Sequence, residues 1–513
     1  MTKVSTKHPS SRSAQLSNAS LWAPFEARRS LKTSTQTPPH KQTSKATAKP
    51  RRFRWVVDAA LPLALITIAG IAVLLPTSLS TTARLALFAF MLAAILWSTT
   101  TISADYIALA TMLLLVLTGG SPQEQLFNAL ASDVIWLMIG AFVLGGAVQK
   151  TGLAARLTQL VVVRAKTVRG VFWLLTTVLI PLSFLIPSTS GRAAVAIPIF
   201  CSIAEAVGDR RIIRALAILM PTIILVSTIV ALVGAGSHLI ANDLLQQIAQ
   251  QQISFTQWAI YGLPFGIAAS YASCWVIMQL FLDQQRLDRT LQLPPTQRKP
   301  LSRPEGITLA VVAVMIALWL TESWHGFEIA TVTVIGALVL TLPGLGVLKW
   351  KEGLKAVSWN LVIFVGAALV LGRALIESGA AQWIIDQIFA VSSIAGVESR
   401  LLILALLALI SLTSHLYMTS HSARAAALVP AMLYLASSLQ LNPVAVLFIS
   451  TVGMDYCLTF PVSSKALLMF QELEGETYQP ADLLRLSSAL IPLHLGLIVL
   501  FYYGYWRWVG LAL

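Results

Sequence analysis

The sequence predicts an all-α polytopic membrane protein. About eleven transmembrane helices would form two inverted repeats, each with a re-entrant helical hairpin and a broken transmembrane helix. Three observations carry that reading. Hydrophobic residues make up 56% of the 513 and charged ones 11%, with a mean hydropathy of +0.76, values that exclude an ordinary soluble domain. One motif occurs twice, as PSTSGRAAVAIP at Pro187–Pro198 and TSHSARAAALVP at Thr419–Pro430. Each copy interrupts an apolar run and precedes a second apolar run that is itself broken by small and polar residues.

Taken in order, residues 1–55 are expected to be a disordered basic tail, with twelve Lys or Arg against the single acid Glu26. The tail has no apolar core segment, so it is not a secretory signal. Its Ser-rich, acid-poor composition resembles an organellar transit peptide, and a plain cytoplasmic tail is the simpler alternative. The net charge of +14 therefore sits in the tail and short loops as a topology signal, and nucleic acid is excluded as a partner. Cys201, Cys274 and Cys457 stand singly and imply neither a disulfide nor a metal site.

The first half, 56–282, should hold spans at Val56–Pro76, Ala83–Thr101, Asp105–Leu117 and Asp133–Lys150, then an interfacial helix at Leu153–Arg169. A hairpin over 171–207 turns at PSTSG, a broken helix over 212–245 is interrupted at Val233–His238, and a span follows from Trp258 to Leu282. A polar cytoplasmic linker is expected at 283–306. In the second half, 307–513, spans at Ile307–Leu320 and Ile329–Leu342 precede Trp359–Glu377, which echoes the fourth span. An interfacial stretch to Gly396, a hairpin over 401–437 and a helix over 443–470 broken at Gly453–Lys465 follow. Leu486–Trp508 closes the chain with the aromatic run FYYGYWRW, suited to a membrane-interface belt.

Five spans separate the fourth span from its echo, and an odd number reverses direction, so the repeats should be inverted. Charge agrees with a cytoplasmic N-terminus: Arg210, Arg211, Arg214, Arg286 and Arg289 fall inside, while Glu124, Asp133, Asp243, Glu322 and Glu328 fall outside. The acidic segment Glu472–Asp482 runs against the pattern. Inverted repeats with broken helices meeting at mid-depth are the architecture of secondary transporters.

Arg192 and Arg424, one in each motif copy, are the most expensive residues in this plan, at roughly 3 kcal/mol apiece on insertion scales. With Ser190 and Ser422 as expected N-caps, each arginine would oppose the positive end of a helix dipole. A bound anion is the expected partner; the alternative is a guanidinium reaching headgroups or packing on backbone carbonyls. Neither G-x-S-x-G nor H-E-x-x-H occurs, so an enzyme is not expected.

These hairpin tips and breaks resemble the divalent anion/sodium symporter (DASS) family over roughly residues 60–510. Family members carry Ser-Asn-Thr at both tips, where they touch substrate carboxylates and help hold sodium; here the triplets are Ser188-Thr189-Ser190 and Ser420-His421-Ser422. Their Pro-Pro-Asn-type turns match Gly236-Ser237-His238 and Ser463-Ser464-Lys465. The resemblance implies one anion site between the tips, served also by Arg192 and Arg424, an elevator-like movement and a homodimer. Every asparagine position is changed, to Thr189, His238, His421 and Lys465, and an ammonium cannot coordinate sodium. The expectation is therefore that Lys465, with a histidine, replaces sodium, giving exchange or proton coupling with no cofactor. Asp455 is expected to pair with Lys465 or to relay protons.

The expected substrate is a C4 or C5 dicarboxylate or a citrate-like anion. Sulfate symport is the nearest rival and an anion channel a more distant one. The expected location is a bacterial inner membrane, with an organellar inner membrane as the alternative.

Overall fold

The structure is a computed structural model that describes residues 51–75, 79–153, 156, 164–291, 300–391 and 399–513. Residues 1–50 of the expected tail, most of the expected interfacial helix Leu153–Arg169 and the end of the stretch before Gly396 lie outside the described residues. All packing below is within the compact unit Ala59–Leu513.

The described chain is helical, with one isolated bridge between Thr167 and Thr290. The first half comprises α1 (Arg51–Leu74), α2 (Thr81–Thr99), α3 (Ala104–Leu117), α4 (Gln123–Leu130), α5 (Asp133–Thr151), α6 (Val168–Leu179), α7 (Leu182–Leu185), α8 (Thr189–Val207), α9 (Arg210–Val226), α10 (Gly236–Ala249) and α11 (Phe255–Phe281). The second comprises α12 (Arg303–Leu320), α13 (Ile329–Thr341), α14 (Trp350–Ala356), α15 (Trp359–Glu377), α16 (Ala380–Val391), α17 (Arg400–Thr413), α18 (His421–Ser438), α19 (Pro443–Met454), α20 (Lys465–Gln471) and α21 (Pro480–Gly504). Sequence sets the starts: Ser254 and Gln257 close a capping box on α11, and Ser302 and Glu305 close another on α12. Among the described residues, nine stretches are long and apolar enough to cross a membrane. Leu117 and Trp508 are 83% and 79% exposed, a surface that suits lipid rather than water.

Several boundaries differ from expectation, among them the start of α21 at Pro480 rather than Leu486. Helix α1 already begins at Arg51, inside the expected tail. The expected linker contains a helical turn, Gln284–Leu287, and gives way to α12 at Arg303 because Ser302 caps there. The first break starts at Ser227 rather than Val233, with two 3₁₀ turns, Ser227–Val230 and Leu232–Gly234. Tight packing explains the early break. Thr228 Oγ1 donates back to Ile224 O at 2.8 Å, and a Cβ on Gly234 would sit 2.4 Å from Thr228 O. Across the break, a Cβ on Gly262 of α11 would meet Ile229 O at 2.2 Å. Glycine at both positions lets the backbone fold on itself between neighbouring helices.

The two halves dock crosswise. Helix α5 packs on α12, α13 and α14, while its echo α15 packs on α2, α3 and α4. A Cβ on Gly140 would touch Thr333 Cγ2 at 2.8 Å, so this glycine sets how closely α5 and α13 approach. Helix α10, beyond the first break, packs on α18; helix α20, beyond the second, packs on α8. Each hairpin tip is thereby carried toward the other half's break.

Candidate functional site: two tips and two breaks

The caps at the tips are Ser188 and Ser420, two residues earlier than expected. Ser188 Oγ accepts from Gly191 N at 3.2 Å and Ser420 Oγ from Ala423 N at 3.3 Å. Thr189 and His421 are therefore the first helical residues. The amides of Thr189, Ser190, His421 and Ser422 face no protein acceptor among the described residues, as the first amides of a helix do. Ser190 Oγ lies 3.1 Å from Ser188 Oγ. The ring of His421 is unengaged: both its nitrogens are shielded from solvent and have no partner.

Arg192 and Arg424 do not point at a vacant anion position. Both are fully buried. Arg192 donates to Ser183 Oγ, to Thr228 Oγ1 at 2.9 Å and to Gly234 O at 3.1 Å, tying hairpin, tip and first break together. Arg424 donates to Met418 O at 2.7 Å and Met454 O at 3.0 Å, and contacts Cys457 Sγ, doing the same at the second break. The expectation of direct pairing with a carboxylate gives way to the alternative of packing on carbonyls. Each break leaves backbone oxygens without helical partners, and a five-donor fork is suited to gathering them. The Nε atoms alone lack partners.

The expected Asp455–Lys465 pair is also corrected. Lys465 is exposed at the first position of α20 and has no ionic partner among the described residues. Asp455 is 3% exposed and its Oδ2 lies 2.7 Å from Nε2 of His238, a residue 217 positions away in the other break. His238 Nδ1 lies 3.0 Å from Ala231 O, and its ring stacks 4.9 Å from that of Trp258, whose Nε1 donates to Ile229 O at 2.9 Å. Arg192 is within electrostatic reach of Asp455, as His421 is of His238 and both arginines. The tips and breaks of both repeats thus converge around one buried histidine–aspartate contact. Around it, Gly236 opens α10 against Leu361, Ser464 caps α20, and Ser237 and Ser463 are buried with unpartnered hydroxyls.

Sequence reasoning missed the acceptors of the arginines, Ser183 and Thr228 above all. It also missed a rivet holding the second break to α21. There His415 Nε2 meets Thr459 Oγ1 at 2.7 Å, Thr459 meets Ser487 Oγ at 2.6 Å, and Ser487 meets Tyr456 OH at 3.0 Å. A cavity of about 140 Å³ elsewhere is lined by Asp133, Asp243, Glu322 and Glu328; four carboxylates would repel an anion there.

Helices apolar enough to cross a membrane, two broken helices and a polar centre between them define a membrane transporter fold. The profile described as the sodium:sulfate symporter transmembrane region matches residues 57–512, and the chain belongs to this divalent anion/sodium symporter family. A protein named "Membrane protein" from Cupriavidus necator is 26% identical over 89% of this chain and 93% of its own. A citrate/succinate antiporter of Escherichia coli K12 is 23% identical over 64% of this chain and 70% of its own. The crystal structure of the Alcanivorax borkumensis YdaH transporter shares the fold, with a TM-score of 0.55 over 83% of this chain and 99% of that one at 15% identity. The family is one of integral membrane transporters of anions.

Proposed function

We propose that this protein is a secondary active transporter of divalent organic anions, C4 or C5 dicarboxylates or citrate-like molecules, working by exchange or proton coupling without sodium. The observation that carries the proposal is the pair of tips. Four open amides at two helix N-termini and the unengaged ring of His421 offer donors with no protein acceptor. Ser188, Thr189, Ser190, Ser420 and Ser422 add hydroxyls, and Arg192 and Arg424 lie one shell behind. A guanidinium roughly 6–8 Å from an anion contributes about 2–3 kcal/mol at an effective dielectric of ~20. Two such charges on opposite repeats suit an anion charged at both ends, which the named substrates of the citrate/succinate antiporter are. Sulfate, named in the family description, would need one compact donor cluster.

The breaks fit sodium poorly. Sodium, as cargo, would take hydroxyl and carbonyl oxygens. At the first break Thr228 Oγ1 and Gly234 O are held by Arg192, Ala231 O faces His238 Nδ1, and Ile229 O accepts from Trp258. At the second, Met454 O is held by Arg424. Tethered cations stand on the oxygens a mobile one would use, so the replacement first expected of Lys465 falls to the two arginines. By family likeness, the hairpins and breaks move elevator-fashion against a scaffold of early helices. The hairpins are re-entrant, the repeats inverted, the molecule a homodimer, and the N-terminus cytoplasmic in a bacterial inner membrane.

Counterflow tests this. Proteoliposomes loaded with succinate should accumulate labelled citrate or succinate equally with and without sodium, and outcompete sulfate and phosphate. Uptake that collapses when sodium is withdrawn would overturn the sodium-free reading, and uptake of sulfate alone the substrate class.

A further inference from the structure

The His238–Asp455 contact has a proton count fixed by its geometry. Ala231 O can only accept, so His238 Nδ1 carries a hydrogen. Nε2 is then a bare lone pair or one end of an imidazolium. A carboxyl oxygen 2.7 Å from it requires one proton between them, on either partner. Without that proton, two lone pairs face each other and the contact repels.

The other oxygen of Asp455, Oδ1, is buried and without a protein partner, and Asp455 lines a cavity of about 10 Å³ together with Tyr456, His494 and the apolar Val226, Ile229, Phe265 and Val452. His494 comes from α21 and is 3% exposed. Its Nδ1 donates to Leu490 O at 2.9 Å, which leaves Nε2 as an acceptor, and that atom too is buried and unpartnered. The volume is that of about one water molecule. A water has two hydrogens to give, and two of the residues lining this cavity, Asp455 and His494, each carry an orphaned acceptor.

We infer that His238, Asp455 and His494, with one buried water between the last two, form a proton-binding relay that is the coupling site of the transporter. The relay rests on the transporter reading and assigns its coupling ion. It takes one proton between His238 and Asp455 and a further proton on His494 Nε2, which then donates through the water to Oδ1. The groups facing it are Arg192 of α8, Arg424 and His421 of α18, Cys457 and Tyr456 of the second break, and His415 beside Thr459. Trp258 covers the His238 ring. A dianion at the tips and a proton at the relay offset one another's charge, so the anion favours the proton. By linkage the proton favours the anion equally. His238 belongs to one break and Asp455 to the other, so the proton also holds the repeats together.

The test uses full-length protein in sodium-free liposomes. An outside solution one pH unit more acid than the lumen should raise accumulation of labelled succinate about tenfold for each proton coupled. His494→Phe should cut that stimulation below about twofold while keeping counterflow within about twofold of wild type. His494→Gln, which retains an acceptor for the water but cannot titrate, should behave alike. A second readout needs no transport: succinate-induced infrared difference spectra should contain a protonated-carboxyl band that Asp455→Asn removes and His494→Phe shifts. Intact counterflow with no pH response, an unchanged pH response in His494→Phe, or a carboxyl band indifferent to Asp455→Asn would each overturn the relay. Loss of wild-type counterflow would instead overturn the transporter reading, with the infrared arm still deciding whether the relay binds protons.

Discussion

Arg192→Ala should lower the stability of the protein before any anion is added. Gly234 O would lose its donor inside a buried turn, at about 1–3 kcal/mol. Thr228 keeps its bond to Ile224 O and Ser183 keeps Ser227 within 3.3 Å, so each hydroxyl loses about 0.5–1 kcal/mol. The void left by the stem adds on the order of 1 kcal/mol. Release of a desolvated guanidinium works the other way, against an Asp455 left with one cation fewer nearby. The net is about 3 kcal/mol, or roughly 3 °C in unfolding temperature for a chain of this length. Arg192→Met fills the void and isolates the polar loss, and should fall between. The assay is thermal unfolding of detergent-solubilised protein by size-exclusion fluorescence, without ligand. An Arg192→Ala protein that unfolds at the wild-type temperature yet fails to bind succinate would refute the clasp and restore the arginine as a direct ligand.

Other outcomes are equally specific. His421→Ala should leave unliganded stability within about 0.5 kcal/mol, since neither ring nitrogen has a partner to lose. The same change should weaken the succinate-induced thermal shift by ten- to a hundredfold in apparent Kd, as expected for a hydrogen bond to a charged group. Gly262→Ala should cost about 1–3 kcal/mol by driving a methyl into Ile229 O, measured as a drop in unfolding temperature with transport lost in parallel. The Lys150 hydrogen bond holds the Glu352 carboxyl below its ordinary 4.5. Its stabilisation is present above that value and is lost as pH falls through the lowered one. Glu352→Gln should flatten the acid limb of a stability–pH profile and slightly lower stability at neutral pH, where the ionised pair contributes.

The sequence made the helical class and the paired tips legible because both rest on residue type: long apolar runs, and serines ahead of an arginine. It did not reveal what the arginines hold. Gly234 O, Met418 O and Met454 O are backbone oxygens, present at every position and marked by no side chain. The early break at Ser227 was hidden for a similar reason, because STIV continues an apolar run and its 3₁₀ turn comes from packing against Gly262. Nearness in sequence suggests Lys465 as a partner for Asp455, whereas folding brings it His238 from the other half. His494 carries no signal in the sequence, since only coordinates reveal its unsatisfied nitrogen and its place beside Asp455 in one cavity lining.

The crosswise docking has a consequence for how the molecule is made. When a ribosome has released residues up to Ala249, α10 still lacks its principal partner, because α18 is not complete until Ser438. Nor can α5 settle before α13 arrives, nor α15 do without α2 and α3. The amino-terminal half must therefore wait in the bilayer as a loose assembly of inserted segments, open to quality-control proteases, until translation nears its end. Split at the 283–306 connection and co-expressed, the pieces should rescue one another, whereas either alone should be degraded.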